Sequence, residues 1–437
     1  MILSNPAVQP RSYLILTAAM MTSLILLINT SFKIIVFQGM MFTASSVICP
    51  LVACLYLVVL RECTFKQQRQ VLNQSLLALY LFSIGIYLLV NLPSADYVRD
   101  NLAYQIVFED IPKKFFAATL AFGLSFYLPH LLCCSRQSEV ITSPRKRVLL
   151  VLFGGLGFFT IDFLLLFSEP HVQNFNPIYI DSLMIAAGIM FSVSILYLAC
   201  LLNKWAKIRA RRSSIPDFLS APLYHYLVGF SVIIILICLA CEYRLISFGH
   251  GWTLAACSIL VPPGLIAASL IGELYGYKAN LYLMVVLMLS QLMFNLLLMV
   301  TMMPPSPNFF DINPFYLFIM PRRIPVLILA LFVLYACNAL VLEYLKNSRY
   351  GSVYRGLRIF MANLSALSLL FLVNYQLLFS GIYPHEQALE LAVTSWVYQV
   401  AFILVSLPLV LRLYSLLGSY VSNNEVVTPD YDNVHRA

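Results

Sequence analysis

PPGLIAASLIGELYGYK, residues Pro262 to Lys278, is an apolar run that closes on Glu273, Leu274, Tyr275, Gly276, Tyr277 and Lys278. Read as a helix, it carries a carboxylate where a membrane span leaves hydrocarbon, which is costly unless the group faces protein or a water-filled cavity. The same frame stands once more in the first half of the chain, displaced by one constant offset. Gly39, Ala44, Ser46, Pro50 and Lys66 answer to Gly251, Ala256, Ser258, Pro262 and Lys278, and Arg61 takes the place of Glu273. One frame is written twice, with its charge inverted in one copy.

Outward from this stretch the composition repeats the message. Hydrophobic residues make up 61% of the 437 and charged residues 11%, too few to clothe a soluble domain of this length. Apolar stretches long enough to cross roughly 30 Å of hydrocarbon as helix fall at about 13–31, 40–61, 70–93, 113–134, 148–168 and 178–202. Six more follow at about 223–247, 252–273, 280–304, 323–345, 359–380 and 390–418. The fold class expected is an all-α polytopic membrane protein, with twelve transmembrane helices as two parallel six-helix repeats. Counting sides through these spans puts 20 of the 27 Lys and Arg on the side of the N-terminus and seven on the other. That split follows the positive-inside rule and predicts a multi-pass protein of the cell (inner) membrane with both termini cytoplasmic.

The net charge of +8 says little about nucleic acid, and no nucleic-acid partner is expected. The basic run from Lys204 to Arg212 reads as a topology anchor beside anionic lipid, so the bilayer is the partner it implies. The first apolar stretch is too long for a removed signal peptide and lacks an evident small-residue cleavage site; it reads as helix one. Cys238 and Cys241 are spaced C-x-x-C inside a span, without a second pair, and read as packing residues. Walker A, G-x-S-x-G and H-E-x-x-H patterns are absent, and the six histidines lack metal-ligand spacing. No catalytic residue, metal site or cofactor is expected, and an enzyme is unsupported.

Two further matches extend the repeat. Asp162 through Ser168, then His171, answers to Asn374 through Ser380, then His385, and Asp162 stands from Asn374 at the same offset as Pro50 from Pro262. Lys113 and Lys114 answer to Arg322 and Arg323. Six spans return the chain to its starting side, so the halves insert alike and should form an internal pseudo-dimer about an axis along the membrane normal. The expected organisation is a first repeat at 1–202, a basic linker at 203–222, a second repeat at 223–418 and a polar tail at 419–437.

With these residues in view, the second half resembles the queuosine-precursor transporter family, the vitamin-uptake (VUT) type of small six-span proteins. That family's frame is a Pro, an acid seven residues on, a charged residue four further, then aromatic-Gly and a basic residue. Pro262, Glu273, Tyr275, Gly276 and Lys278 fit it, and Arg323 and Tyr398 stand at positions that also look like the family's. The resemblance implies a six-helix substrate-binding fold per half and transport of 7-deazaguanine bases or similar small heterocycles. The chain departs from the frame at the first acid, which is Ser269 here and Leu57 in the first copy, and Cys63 and Thr64 replace the aromatic-Gly pair there.

A purine-like base in a membrane needs an acceptor for its N–H donors and aromatic faces for stacking. Glu273 with Tyr275 and Tyr277 offers both; the other reading has Glu273 capping its helix and pairing with Lys278. Asp162 lies deeper, between Phe158–Phe159 and Leu164–Phe167, and its repeat mate Asn374 keeps a polar group at the same depth. Either a cavity or an interhelical contact would account for the pair. Asn338, and Tyr398 with Gln399, are read either as helix–helix glue or as ligand contacts. The candidate substrate-binding set is therefore Glu273, Tyr275, Asn338, Asn374, Tyr398, Gln399, Asp162 and Ser269, for a small-molecule substrate; the energising partner is not specified. A scaffold subunit of the same fold that has lost transport is the alternative, resting on the missing acids.

The first half offers Arg61, Cys63, Met184 and Ile185 at or near the matching places, so the working site is expected in the second half. A cation cannot accept the donors of a guanine-like edge. Losing one charge-assisted hydrogen bond in a dry site costs on the order of 1.5–3 kcal/mol, or about tenfold to a hundredfold in affinity. Glu273→Gln is expected to cripple ligand binding while Arg61→Gln leaves it within a few fold. The reverse ranking, on well-folded protein, would move the site to the first half.

Overall fold

The computed structural model describes residues 10–93, 111–134, 143–167, 175–202, 217–241, 244–247, 252–307, 313–348, 354–375, 377 and 384–424. Among these are twelve helices long and apolar enough to cross a membrane. The first six are α1 (Pro10–Thr30), α2 (Ser45–Glu62), α3 (Phe65–Val90), α4 (Ile111–Phe122, continued through a π turn at Gly123–Tyr127 to Leu128–Cys134), α5 (Pro144–Phe167) and α6 (Phe175–Leu202). The second six are α7 (Pro222–Ala240), α8 (Ala256–Tyr275), α9 (Tyr277–Met302), α10 (Asn313–Asn347), α11 (Arg355–Leu370, then a π turn at Phe371–Tyr375) and α12 (His385–Asn424). The repeat spacing is kept in three dimensions: Pro10 and Pro222 open α1 and α7, while Phe65 and Val90 map onto Tyr277 and Met302, the two ends of α9.

Hydropathy alone does not see the two β-hairpins. In the first half β1 (Ile34–Phe37) and β2 (Met40–Thr43) pair antiparallel; in the second, β3 (Leu245–Ser247) pairs with β4 (Thr253–Ala255). The expected spans 40–61, 223–247 and 252–273 each run into one of these strands. The correction has a simple cause: strand residues such as IIVF and MMFT are as apolar as helix residues, and only their local chemistry differs. Gln38 and Gly39 both take positive φ, 50° and 85°, the two-residue turn whose twist suits a tight hairpin.

Each hairpin is held by equivalent bonds. Ala44 N–H donates to the Lys33 carbonyl at 2.8 Å, and Ala256 N–H to the Arg244 carbonyl at 2.7 Å. From α6, Ser182 Oγ accepts from Thr43 N–H at 3.0 Å and Asp181 Oδ2 from Met41 N–H at 2.9 Å. From α12, Thr394 Oγ1, the repeat mate of Ser182, donates to the Thr253 carbonyl at 2.6 Å. The hairpin core is apolar: Ile35, Phe42 and Ala44 are buried with Met40, Val47 and Ile185 against them.

The outer edge of each hairpin is closed from the other half of the sequence. Val36 N–H donates to the Pro305 carbonyl and Ser247 N–H to the Pro93 carbonyl, both at 2.9 Å; Pro93 and Pro305 are themselves repeat mates. Lys33 Nζ donates to Ser306 Oγ, and Arg244 Nη2 to the carbonyls of Val90 and Leu92. The chain accordingly divides into two compact units that follow the sequence halves except for two exchanged segments, 85–101 and 294–318. The first comprises Met1–Ile84, Leu102–Ile215 and Phe294–Phe318; the second comprises Gly85–Asn101, Pro216–Met293 and Ile319–Ala437. Within the first unit α5 packs on α2, α4 and α6; within the second α8 packs on α7, α11 and α12.

Because each unit is completed by residues of the other half, severing the chain between α6 and α7 should not separate the pieces. Co-expressed 1–212 and 213–437, with a tag on one, are expected to co-purify in mild detergent. Recovery of the tagged piece alone would contradict the exchanged arrangement.

Candidate functional site

The site is built on α8, whose small residues admit close neighbours. A Cβ at Gly264 would lie 3.1 Å from the Tyr335 hydroxyl; at Gly272 it would lie 2.7 Å from Leu342 Cδ2 and 3.1 Å from Asn280 Nδ2. Gly276 ends the helix at φ 87°, ψ 179°, a conformation essentially reserved for glycine. It turns α8 into α9 within one residue, so Asn280, in the first turn of α9, comes back against Gly272. Leu270, Leu342, Ile359, Ala362 and Val410 form the apolar core among α8, α10, α11 and α12.

Into this core project four buried polar side chains: Ser269 on α8, Asn280 on α9, Asn338 on α10 and Asn363 on α11, each with no exposed surface. Asn338 Nδ2 donates to Asn363 Oδ1 at 2.7 Å and to Ser269 Oγ at 3.0 Å. Ser269 Oγ donates to Asn363 Oδ1 at 2.9 Å, and Asn280 Nδ2 to Asn338 Oδ1 at 3.3 Å. Two valences are left over: Asn280 Oδ1 and Asn363 Nδ2 find no partner among the described residues. Leaving a buried polar group unmatched costs about 1–3 kcal/mol, and most such groups in proteins are satisfied. An acceptor and a donor held open in one network suit a small ligand that offers the complementary pair.

One helical turn from Ser269, on the same face of α8, lies Glu273. Its side chain is 3% exposed and its carboxylate is gripped by Arg358 of α11, Nε to Oε1 at 2.8 Å and Nη2 to Oε2 at 2.7 Å. This is the two-point fork that guanidinium and carboxylate geometry favour. Arg355 stands 3.9 Å from the same carboxylate with its guanidinium 4.0 Å over the Tyr414 ring of α12. Lys346 Nζ donates to the Gly272 carbonyl at 2.6 Å. α8, α10, α11 and α12 are thus tied together by charged groups one turn from the quartet. Lys278 is exposed, and the partner of Glu273 is instead Arg358, far along the sequence on α11.

Of the residues singled out from the sequence, Ser269 and Asn338 meet in the quartet, with Glu273 one turn off. Tyr275 is buried edge-on against Tyr224, 5.4 Å between ring centroids. Tyr398 packs beside Phe402 on α12, and Gln399 is buried with Nε2 unpartnered among the described residues. Asp162 belongs to the first unit. The side chains of Asn374 and Arg323 lie outside the described residues, as does Gly251. Asn280 and Asn363 were not anticipated. Asn363 carried a simple signal, an asparagine inside an apolar helix, whereas Asn280 stands at the start of its span.

At the repeat spacing the quartet answers to Leu57, Gln68, Phe126 and Val151. Three are apolar, and Gln68 Nε2 caps α2 through the carbonyls of Cys63, 2.8 Å, and Leu60, 3.3 Å. Arg61 pairs with its neighbour Glu62 at 3.1 Å. The first unit instead buries Tyr56 and His130, hydroxyl to Nδ1 at 2.9 Å. Among the described residues no group of three or more His, Cys, Asp or Glu could hold a metal ion.

Residues 255–413 match the model of a family described as "Putative vitamin uptake transporter". The match opens on the last residue of β4 and closes inside α12, so it contains the quartet and the Glu273–Arg358 pair. No curated protein and no solved structure matches the chain.

Removing one partner of a buried ion pair strands the other charge and costs about 3–5 kcal/mol, whereas replacing both by apolar groups is often close to neutral. Glu273→Leu alone is expected to lower the melting temperature sharply, and Glu273→Leu with Arg358→Leu to recover most of it. Ligand binding by the double variant separates the roles: retained binding makes the carboxylate a structural clamp, lost binding makes it a ligand contact.

Proposed function

We propose that this chain is an integral membrane transporter for a small heterocyclic, nucleobase-like substrate of the queuosine-precursor (7-deazaguanine) kind. The proposed binding set is Ser269, Asn280, Asn338 and Asn363, with Glu273 one turn away and Tyr275, Tyr398, Gln399 and Asn374 as outer candidates; Asp162, in the first unit, is a separate candidate. The observation that carries the reading is the open pair in the quartet. Asn280 Oδ1 accepts and Asn363 Nδ2 donates; the lactam edge of a guanine-like ring offers a carbonyl oxygen and an N–H side by side. Both asparagines fall within the stretch that matches the uptake-transporter family.

The same proposal has the protein in the inner membrane with both termini cytoplasmic, as a tandem duplication with repeats at 1–202 and 223–418, a linker at 203–222 and a tail at 419–437. A second reading is supported by one specific observation. The Glu273 carboxylate is already satisfied by Arg358, as in a subunit that keeps the fold for binding or scaffolding and has given up transport.

Uptake of labelled 7-deazaguanine precursors into cells lacking their own transporter is the direct test. Accumulation well above an empty vector is expected; its absence, with thermal stabilisation of the purified protein by the same compound, would favour the non-transporting reading. Asn280→Leu or Asn363→Leu should weaken binding about tenfold to a hundredfold. Truncation of Val151, the apolar counterpart of Asn363, should act through stability alone.

A further inference from the structure

Asp162 sits in α5, five residues before the helix ends at Phe167, and is 1% exposed. Its neighbours along the helix, Phe158, Phe159 and Phe163, have no exposed surface, and Tyr179 of α6 lies against Phe159 and Phe163. α5 packs on α2, α4 and α6. The titratable and charged groups of those helices are Cys49, Cys54, Tyr56, Arg61 and Glu62 on α2, Lys113, Lys114, Tyr127, His130 and Cys133 on α4, and Tyr179, Asp181 and Tyr197 on α6, among the described side chains. Of these, Cys49 is fully buried and close enough to Asp162 to interact with it electrostatically. Asp162 forms no hydrogen bond or ion pair among the described residues, and its Oδ2 is fully enclosed. Asp181 is engaged with the Met41 N–H.

An ionised carboxylate with neither cation nor donor in an apolar interior is too costly to persist. A carboxylic acid is tolerable there, and it has the shape and neutrality of an amide. The repeat mate of Asp162 is in fact an amide, Asn374. A protonated Asp162 would match the amide of the second half in shape and neutrality, and unlike the amide it could release a proton. We propose that Asp162 is a proton-binding site, loaded at neutral pH in this conformation, and that its proton is the ion coupled to transport. The loaded site stands on the geometry alone; its coupling role rests on the transporter reading above.

A hydrophobic carbodiimide distinguishes the two claims, because it adds to a carboxyl only by taking that carboxyl's proton onto its own nitrogen. Intact protein in lipid vesicles at pH 7.4 is treated with dicyclohexylcarbodiimide, digested and mapped by mass spectrometry. Asp162 is expected to be the principal adduct, with Glu62 and Glu273 unmodified, and Asp162→Asn should fold like the wild type and lose that adduct. Infrared spectra should show a protonated carboxyl C=O stretch that Asp162→Asn abolishes. An unmodified Asp162 together with no such band overturns the proton site, whatever uptake shows. In uptake assays an imposed inward proton gradient should accelerate the wild type several-fold and leave Asp162→Asn unaffected. Equal acceleration of both overturns the coupling role. A labelled Asp162 in a protein that takes up nothing under any gradient sinks the transporter reading, and the coupling role with it, while the proton site stands.

Discussion

Hydrocarbon offers no hydrogen bonds, so every backbone N–H and C=O that the chain carries into it must be matched by the protein. Helices meet this demand internally. The connections between α1 and α2 and between α7 and α8 do not, because each is a short apolar hairpin whose outer edge has nothing of its own to bond. The rest of the arrangement follows from how those edges are closed. Pro93 and Pro305 have no N–H and present a bare carbonyl, and these two carbonyls take the N–H of Ser247 and Val36. Each is delivered by the segment after the third helix of the opposite half, which is why the compact units are divided within α3 and α9 as well as between α6 and α7.

Much of this was legible in the sequence for a physical reason. Twelve spans, their repetition at one fixed offset and the asymmetry of charge between halves depend on hydropathy and spacing, which are local properties. Ser269 and Asn338 could be picked out because a polar side chain in an apolar run is conspicuous. What remained hidden depends on pairing at long range. Nothing near Glu273 announces that Arg358, on a helix three spans later, is its partner; Lys278 is nearer in sequence and of the right sign. Asn280 lies so close to the end of α8 that it reads as an interfacial residue until the turn at Gly276 is seen to fold it back on Gly272. The hairpins were masked by their own apolarity, although Gln38-Gly39 between two β-branched and aromatic runs is a recognisable turn.

The two units apply one scaffold to different ends. In the second, the interior is polar and amide-rich, closed at one end by a forked ion pair, with a donor and an acceptor unspent. In the first, the same positions include Leu57, Phe126 and Val151, packed with aromatic rings: Phe126 stands edge-on to Tyr56 at 5.1 Å and to Phe158 at 5.4 Å. An amide network inside protein gains strength from the low dielectric when complete and is costly when incomplete. Keeping such an amide network in one copy and replacing its positions by apolar side chains in the other lets the two units differ in function on one scaffold.

The exchange of proline segments also bears on how the chain is made. Val36 leaves the ribosome long before Pro305, the group that completes its strand edge, because most of the first half and three further helices are synthesised between them. At synthesis rates of about 5–20 residues per second, that edge stands open for on the order of 10–50 s, longer than hairpins or helices take to form. By the time α6 is complete that backbone donor on the hairpin edge still lacks the carbonyl that closes it in the finished fold. The first half thus waits on the second for the bond that closes its hairpin, and slowing translation across α7 to α9 would lengthen that wait without altering a single residue of the finished fold.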